Sequence, residues 1–180
     1  KRTSKEGILI NSRFSFNFLT YKNMYSPFIY GSTRANLFFS NSRFSHILSP
    51  AIYLSKEKEI QILRDLEFHE KNANITSDIS LINCTFTYCT PSRSDKIQDG
   101  GTILIRSSIS FEAKYCTFRN NEARKYGGAI SAEGSYSLQI DNCLFAENKC
   151  QGNGALSVKG CDKAIVKRSN FTLNKSKMSA

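Results

Sequence analysis

The segment 127–148 reads GGAISAEGSYSLQIDNCLFAEN, and it decides the fold because its pattern returns along the chain. A Cys-x-Phe tripeptide begins at Cys84, Cys116 and Cys143. A fourth copy has Ser169 in the cysteine position, and the successive steps are 32, 27 and 26 residues. A glycine precedes each of the last three copies by 15 residues, at Gly101, Gly128 and Gly154. A constant 15-residue arc joined to a variable remainder predicts a repeated structural unit whose loop length varies at one place per repeat.

Apolar residues alternate inside that arc as they do in a strand with one buried face. The residues five and three positions before the Cys or Ser are apolar in every copy: Ile79 and Leu81, Phe111 and Ala113, Leu138 and Ile140, Ala164 and Val166. Because successive side chains of a strand point to opposite faces, we expect these residues to point inward and Gln139 to point outward. The next inward residue is the Cys or Ser itself, three positions after the last apolar residue. Because alternation in one strand would turn that side chain outward, we expect the strand to end in a corner, at Lys114-Tyr115 and at Asp141-Asn142. Three short strands separated by corners form one turn of a parallel β-solenoid.

The first half of the chain follows this spacing less regularly. The inward positions return at Leu37, Phe39, Ser42 and Phe44, and Pro27 stands in the glycine position, before an inward Ile29. A further arc from Pro50 places Phe68 in the phenylalanine position, and 56–70 is interpreted as strand. The string 11–15 returns as 41–45. We expect one all-β domain over 1–180, with irregular coils in 1–78, regular coils of about 26–27 residues in 79–180, and roughly six coils in total.

The recurring residues predict ladders of stacked side chains. The ladder positions are Cys84, Cys116 and Cys143; Phe86, Phe118, Phe145 and Phe171; Asn121, Asn148 and Asn174; and Gly101, Gly128 and Gly154. Glycine permits a corner with positive φ. Asparagine tolerates the left-handed region and can stack its amide on the next coil. The ladder cysteines are interpreted as buried thiols, although adjacent coils lie within disulfide range, so a bond along the ladder stays open in an oxidising compartment.

Two of these motifs carry a family resemblance. Gly127-Gly128-Ala129-Ile130 resembles the GGA-(Ile/Leu/Val) motif of the chlamydial-type polymorphic outer membrane proteins. Their FxxN motif is matched at 118–121, 145–148 and 171–174, while Cys89 replaces the asparagine expected after Phe86. Proteins with these repeats also form surface families in parasitic protists such as trichomonads. The resemblance is strong over 79–176 and implies a right-handed parallel β-helix that is displayed on a cell surface and used in adhesion.

An enzyme is the alternative, because many parallel β-helices cleave polysaccharides. A lyase needs clustered carboxylates for calcium and a basic residue, and a hydrolase needs two carboxylates facing one cleft. No slot carries a carboxylate in successive coils, since the slot before the corner holds Lys114, Asp141 and Lys167. Only Asp95 and Asp99, in the loop between Phe86 and Gly101, are expected to come close together. The favoured interpretation is a non-catalytic protein without catalytic, cofactor or metal residues. A carbohydrate-active enzyme of the pectate-lyase-like fold stays open.

The charge and the sequons bear on partners and location. The formal net charge is +10, but no nucleic-acid-binding module accompanies it, so we expect a host-cell surface or an anionic glycan as partner rather than nucleic acid. The chain has no apolar run long enough to span a membrane. We expect further coils and a membrane anchor elsewhere in a longer, surface-displayed or extracellular protein. The candidate glycosylation sites are Asn74, Asn83 and Asn170, whereas the sequon asparagine Asn174 is expected in the ladder.

Overall fold

The computed structural model describes residues 10–25, 28–31, 34–48, 50–55, 78–90, 99–106 and 109–177. Within these ranges the regular elements are β-strands, and all their pairings are parallel. Strands that recur once per coil lie side by side, so three sheets run along a common axis. The predicted parallel β-solenoid is therefore confirmed, with six coils.

The three sheets are named A, B and C in the order in which each coil passes through them. Sheet A contains β1 (Ile10–Asn17), β4 (Arg34–Ser40), β7 (Asp78–Ile82), β10 (Ser110–Lys114), β13 (Ser137–Asp141) and β17 (Lys163–Lys167). Sheet B contains β2 (Thr20–Met24), β5 (Arg43–Ile47), β8 (Thr85–Thr87), β11 (Thr117–Arg119), β14 (Leu144–Ala146) and β18 (Asn170–Thr172). Sheet C contains β3 (Ile29–Gly31), β6 (Ile52–Ser55), β9 (Ile103–Arg106), β12 (Ile130–Glu133) and β16 (Leu156–Lys159). A short fourth pairing joins β15 (Lys149–Cys150) to β19 (Lys175–Ser176).

The core lies between the three sheets, and the predicted parity is confirmed there for the pairs Ile79/Leu81, Phe111/Ala113 and Leu138/Ile140. Ala164 and Val166 pair in register with Leu138 and Ile140 but are exposed, because no described coil covers them. Phe111 pairs with Leu138 and Ala113 with Ile140, and all four side chains are buried. Gln139, which lies between two inward positions, is exposed. Burying one face of each short strand against the other two sheets removes apolar surface from water and fixes the register, since a slip by one residue would reverse every side chain.

The corner between sheets A and B uses the left-handed backbone region. The residue just before each Cys or Ser of the repeat has positive φ, including Tyr115 (55°) and Asn142 (51°), so the predicted kinks are confirmed. At the next corner, after sheet B, Asn120 (54°) and Glu147 (57°) have positive φ. The left-handed residue there precedes the FxxN asparagine and is not that asparagine itself. The expectation that the FxxN asparagine itself takes the left-handed region is therefore wrong by one position. The asparagine recurs because of its side-chain hydrogen bonds between coils.

The paired glycines divide two roles between them. Gly127 takes the positive φ (63°), whereas Gly128 is required by close approach, since a Cβ there would lie 2.7 Å from the carbonyl oxygen of Lys149 in the next coil. Gly101 repeats the close approach, with a Cβ 2.1 Å from the carbonyl oxygen of Gly128. The predicted positive-φ corner is thus made by Gly127 and, at 35°, by Gly154. For Gly101 and Gly128 the predicted cause is corrected to steric contact between coils.

Two expectations for the first half are wrong. The repeated string does not mark equivalent positions, because Phe14 pairs with Leu37 in sheet A whereas Phe44 pairs with Tyr21 in sheet B. No phenylalanine stands between Phe44 and Phe86 in the stack, since their ring centroids are 4.8 Å apart and β5 pairs directly with β8. Phe68 and the segment 56–70 lie outside the described residues, as does Pro27. The expected slot of Ile29 is confirmed by its pairing with Ile52.

Candidate functional site: a groove beside the cysteine ladder

A column of cysteine and serine side chains lines the inner side of the corner between sheets A and B. Its members, in coil order, are Ser42, Cys84, Cys116, Cys143 and Ser169, and the three cysteines are buried free thiols. The Sγ of Cys116 lies 3.2 Å from the carbonyl oxygen of Lys114 in its own coil and 3.5 Å from that of Leu81 one coil earlier. The N–H of Cys116 donates to the Sγ of Cys143 at 3.4 Å, and the N–H of Cys143 donates to the Oγ of Ser169 at 3.1 Å. The column therefore satisfies corner backbone groups, and serine and cysteine fill the same role.

The three thiols influence one another. Hydrogen bonding with the neighbouring Cys116 thiol lowers the pKa of Cys84 to about 7 and also lowers the pKa of Cys143. The pKa of Cys116 is raised, because hydrogen bonding with Cys143 and Cys84 and burial all favour its protonated form. The ladder predicted from sequence therefore places two thiols of lowered pKa on either side of one whose pKa is raised.

The FxxN asparagines form a second inner ladder at the corner after sheet B. The backbone N–H of Asn121 donates to the Oδ1 of Asn148 at 3.1 Å, and the Nδ2 of Asn148 donates to the carbonyl oxygen of Phe118 at 3.0 Å. The same pair of bonds joins Asn148 and Phe145 to Asn174. Asn121 and Asn148 are completely buried, so these bonds satisfy backbone groups that water cannot reach.

Cys89 takes the first position of the asparagine ladder. Its backbone N–H donates to the Oδ1 of Asn121 at 3.0 Å, but its side chain offers no amide to the coil before it. Burial raises the pKa of its thiol to about 12. Cys89 is therefore a buried, protonated thiol that ends the ladder.

The phenylalanine stack between the two ladders is confirmed in full. Its members are Phe44, Phe86, Phe118, Phe145 and Phe171, with successive ring centroids 4.5–5.1 Å apart and interplanar angles of 1–14°. The ring of Phe171 is 45% exposed because it lies in the last coil that the structure describes, whereas the other four are buried. The stack fixes the distance between neighbouring coils at both corners.

An open groove of about 360 Å³ runs outside the same A–B corner in the last three described coils. It is lined by Tyr115, Cys116, Thr117, Asn142, Cys143, Leu144, Arg168 and Asn170. The Tyr115 ring stands at its edge and is 62% exposed. The corner continues toward the first coils as an outer amide ladder, in which Asn83 donates to Asn41 at 2.8 Å and Asn41 to Asn17 at 3.0 Å. The sequence spacing predicted the corner, but nothing in the one-dimensional pattern placed the side chains of these last three coils in one groove.

An ion pair borders the groove. The guanidinium of Arg168 donates to both carboxylate oxygens of Asp141, from Nε at 2.8 Å and from Nη2 at 2.5 Å, and the Nζ of Lys167 lies 3.5 Å from the same carboxylate. Arg168 above all, and Lys167 as well, lower the pKa of Asp141. A bidentate pair of this kind fixes the plane of the guanidinium of Arg168, which is one of the residues that line the groove.

Other described carboxylates are also held by cations, either within the same coil or from a neighbouring coil. The ion pairs are Asp99 with Arg106 at 2.6 Å, Glu112 with Lys114 at 2.6 Å, Glu133 with Lys159 at 3.0 Å and Glu147 with Arg119 at 2.7 Å. The pKa of Glu133 is lowered by the hydrogen bond from Lys159. Asp95, the other half of the predicted close pair with Asp99, lies outside the described residues. Within the described part of the chain, no group of three or more His, Cys, Asp or Glu side chains is arranged to hold a metal ion.

The positive charge is concentrated on one coil, which the sequence analysis did not detect. Residues 156–177, from β16 to the end of the last described coil, contain five lysines and Arg168 against Asp162 alone, a balance of 6 − 1 = +5. Residues 137–155 of the coil before it contain Lys149 against Asp141 and Glu147, a balance of −1. Counting charges by repeat rather than along the whole chain reveals this step. The groove therefore opens beside a strongly basic coil.

The structure also places three of the four sequons. Asn83 and Asn170 are exposed at the surface, whereas Asn174 donates to the carbonyl oxygen of Phe145 as part of the inner ladder. The predicted orientations of these three side chains are confirmed. Asn74 lies outside the described residues.

Comparison with known proteins identifies the family. Among the described residues, no helix has the length and apolar character needed to cross a membrane. Searches of curated proteins and of solved structures find no match. The family model described as a right-handed β-helix region matches residues 3–178. With its parallel sheets, inward ladders and this match over nearly its whole length, the chain belongs to the right-handed β-helix family.

Proposed function

We propose that this β-helix is a non-catalytic, adhesin-like protein of the cell surface, which binds anionic glycans on a host cell through the A–B corner groove. The observation that carries the proposal is the grouping of the Tyr115 ring, the amides of Asn142 and Asn170, and the Arg168 guanidinium in one open groove. An exposed aromatic ring offers a flat apolar face to a sugar, and amides and guanidinium groups donate to hydroxyl, carboxylate and sulfate oxygens.

Charge supports an anionic partner. The groove ends on the coil with a balance of +5, and Lys163 and Lys167 of β17 project from the sheet beside it. Long-range attraction of this kind raises the association rate with a polyanion and weakens as salt is added, since the Debye length shortens. The resemblance of the GGA and FxxN motifs to those of chlamydial-type surface proteins supports display at the cell surface.

The state of the carboxylates favours binding over hydrolysis. A general acid of a glycosidase needs a raised pKa so that it carries a proton near neutral pH. Arg168 and Lys159 lower the pKa values of Asp141 and Glu133 instead, and both side chains are held in ion pairs. These acids orient cations for binding, which suits a recognition surface.

The test is a binding titration with heparin as the probe and neutral dextran as its uncharged counterpart. We expect heparin binding that falls steeply as sodium chloride is added, and no dextran binding. The variants Tyr115→Ala and Arg168→Gln should each weaken heparin binding by about tenfold, the effect of about 1.4 kcal/mol. Arg119→Gln is the matched control, because Arg119 is also exposed and paired with an acid of the adjacent coil but does not line the groove.

Three results would count against the proposal. Heparin binding that is absent at low salt would remove the glycan role, and an equal loss in all three variants would mean that charge alone, rather than the groove, binds the polymer. Cleavage of uronate polymers, seen as new reducing or unsaturated ends, would favour the alternative of a polysaccharide lyase or hydrolase. Display is tested separately, by antibody labelling of intact source cells against permeabilised ones.

Glycosylation offers a further check on the secretory route. If the chain passes through a eukaryotic secretory pathway, Asn83 and Asn170 should carry glycans more often than Asn174, whose amide is used in the ladder. A glycan on Asn170 would occupy the groove itself. Glycopeptide mass spectrometry should therefore find that molecules modified at Asn170 bind heparin less well than those modified at Asn83 alone.

A further inference from the structure

We infer that the three ladder cysteines form a thiol–disulfide relay. Cys116 forms a disulfide with either Cys84 or Cys143, and no disulfide forms between Cys84 and Cys143. The inference is independent of the proposed function. It rests on the positions of three thiols in one slot of three successive coils, where the following residues Thr85, Thr117 and Leu144 are paired in register.

The spacing of the coils allows two bonds and excludes the third. Neighbouring strands of a sheet lie about 4.8 Å apart, and disulfides join Cα atoms about 4.4–6.8 Å apart. Cys84 and Cys116, or Cys116 and Cys143, therefore satisfy the distance. Cys84 and Cys143 are two coils apart, about 9.6 Å, which exceeds the limit of about 7 Å. One bond can form at a time, and Cys116 belongs to it in either case.

The slot also provides the geometry for exchange. Because equivalent side chains repeat along the axis, the third thiol stands in line with the bond formed by the other two. A thiolate at Cys143 attacks the Sγ of Cys116, the Cys116–Cys84 bond breaks, and Cys84 leaves as the thiolate. One disulfide and one thiolate are present before and after, so no oxidant is consumed. The lowered pKa values of Cys84 and Cys143 supply the nucleophile and the leaving group.

The first bond requires an oxidant, for which a small-molecule disulfide such as oxidised glutathione is suited. The thiolate of Cys84 or Cys143 attacks the glutathione disulfide, forms a mixed disulfide and releases one glutathione thiolate, which takes the proton of Cys116. The Cys116 thiolate then attacks the protein sulfur of the mixed disulfide and releases the second glutathione thiolate. Two protein thiols are oxidised and one glutathione disulfide is reduced to two thiols. Cys116 and Cys143 are among the residues that line the corner groove, so the buried thiols lie nearest to solvent on that side.

The chain itself supplies the control substitution. Serine occupies the same slot at Ser42 and Ser169, where each hydroxyl bonds the carbonyl oxygen two residues before it as the cysteines do. A Cys→Ser variant in the ladder therefore preserves the corner bonds while it removes one sulfur. The matched control outside the ladder is Cys161→Ser, since Cys161 is half-buried near sheet C.

The experiment is oxidation of the purified chain with excess oxidised glutathione, followed by alkylation of free thiols, trypsin digestion and tandem mass spectrometry. Fragment spectra are needed because Cys84 and Cys89 share a tryptic peptide. In the native chain and in Cys161→Ser we expect both the 84–116 and the 116–143 linkages in the digest, each from a different fraction of the molecules. Cys84→Ser should retain 116–143 alone, Cys143→Ser should retain 84–116 alone, and Cys116→Ser should lose all ladder linkage.

Two outcomes would overturn the inference. A native chain whose three ladder cysteines are all alkylated after oxidation would show that the thiols do not react with one another. A linkage between Cys84 and Cys143 in Cys116→Ser would show that the coils are not stacked in the register described. If Cys116→Ser folds poorly, Cys84→Ser and Cys143→Ser still test the inference, because each should retain one of the two ladder disulfides.

Discussion

The first two coils and the last three fill the same interior in different ways. In the early coils the ring of Phe28 meets Phe16, Phe39 and Phe44 at interplanar angles of 84°, 74° and 68°, which is edge-to-face packing. In the last three coils Phe118, Phe145 and Phe171 stack face over face, at 14° and 1°. Equal arc lengths produce identical slots and hence ladders. Where the arcs differ in length, large rings from different sheets close the interior against one another, and both arrangements are favourable for aromatic pairs.

The difference teaches that a solenoid does not need a sequence repeat in order to close a coil. The early coils pair in parallel and share the sheets of the later ones, although their sequence spacing is irregular. What the repeat adds is polar satisfaction at the corners. The Cys/Ser column and the asparagine ladder bond backbone groups of the next coil, and they do so because the same side chain recurs at the same place.

The largest effect that tests this comparison is expected at the centre of the stack. Phe118→Ala should lower the free energy of unfolding by about 3–5 kcal/mol, because Phe118 is fully buried between two rings and its removal leaves a cavity. Phe28→Ala should cost less, since Phe28 is partly exposed. Urea titration measures both, with Gln139→Ala as the exposed control, expected to change the free energy by less than about 0.5 kcal/mol. Equal losses at Phe118 and Gln139 would contradict the parity.

A second effect separates the inner asparagine ladder from the outer one. Asn148→Ala should cost about 1–3 kcal/mol for each buried backbone group that it leaves without a partner, namely the Asn121 N–H and the Phe118 carbonyl. Asn17→Ala, in the exposed outer ladder, should change the free energy by less than about 0.5 kcal/mol. Chemical denaturation of both variants checks the order, and a larger loss at Asn17 would reverse the assignment of the two ladders.

A smaller effect tests the place where the asparagine ladder ends. Cys89→Asn should raise the free energy of unfolding by about 1 kcal/mol, because the new amide can donate to the coil before it as Asn121 donates to Phe86. Cys89→Ser is the comparison, since a hydroxyl is too short to reproduce both bonds of an amide. If Cys89→Asn is less stable than Cys89→Ser in the same titration, the slot does not accept an asparagine.

The smallest effect concerns pH. Arg168 lowers the pKa of Asp141 in the folded chain, so the pair stabilises the fold at pH values above 3.8, the ordinary pKa, and this contribution is lost as the pH falls through the lower folded value. Arg168→Gln should therefore reduce the urea midpoint slightly at pH 7 and leave it unchanged in strong acid. The effect is small because the Arg168 side chain is 62% exposed and water screens the pair from that side. Lys163→Gln is the control, and a difference between Arg168→Gln and the native chain that persists in acid would mean that the ion pair is not its cause.

The alternation of apolar residues and the spacing of the repeats predicted the strands and corners of the later coils closely. The glycines, the Cys-x-Phe tripeptides and the FxxN motifs each recur at the positions where the structure needs them, because a solenoid repeats the same local problem in every coil. The cause of a motif was harder to predict than its place. Gly128 is small because of a carbonyl in the next coil, and Asn148 is buried because of an N–H in the previous one.

The early coils show why spacing fails when repeats diverge. The strings at 11–15 and 41–45 are identical, yet they lie in different sheets, since strand choice follows which face can be buried rather than which letters match. The expected stack position of Phe68 was wrong for the same reason. The interior between Phe44 and Phe86 is already closed by direct contact of their rings.

The sequence alone determined the architecture. In a parallel β-solenoid, the repeat length and the inward–outward alternation of side chains are both visible in the order of residues along the chain. The sequence also placed the three stacked cysteines and the outward sequon asparagines. The tertiary structure decided what those residues meet. The groove with Tyr115 and Arg168, the ion pairs that lower the carboxyl pKa values, and the basic coil beside them join residues about one repeat apart, and only coil stacking brings such residues together.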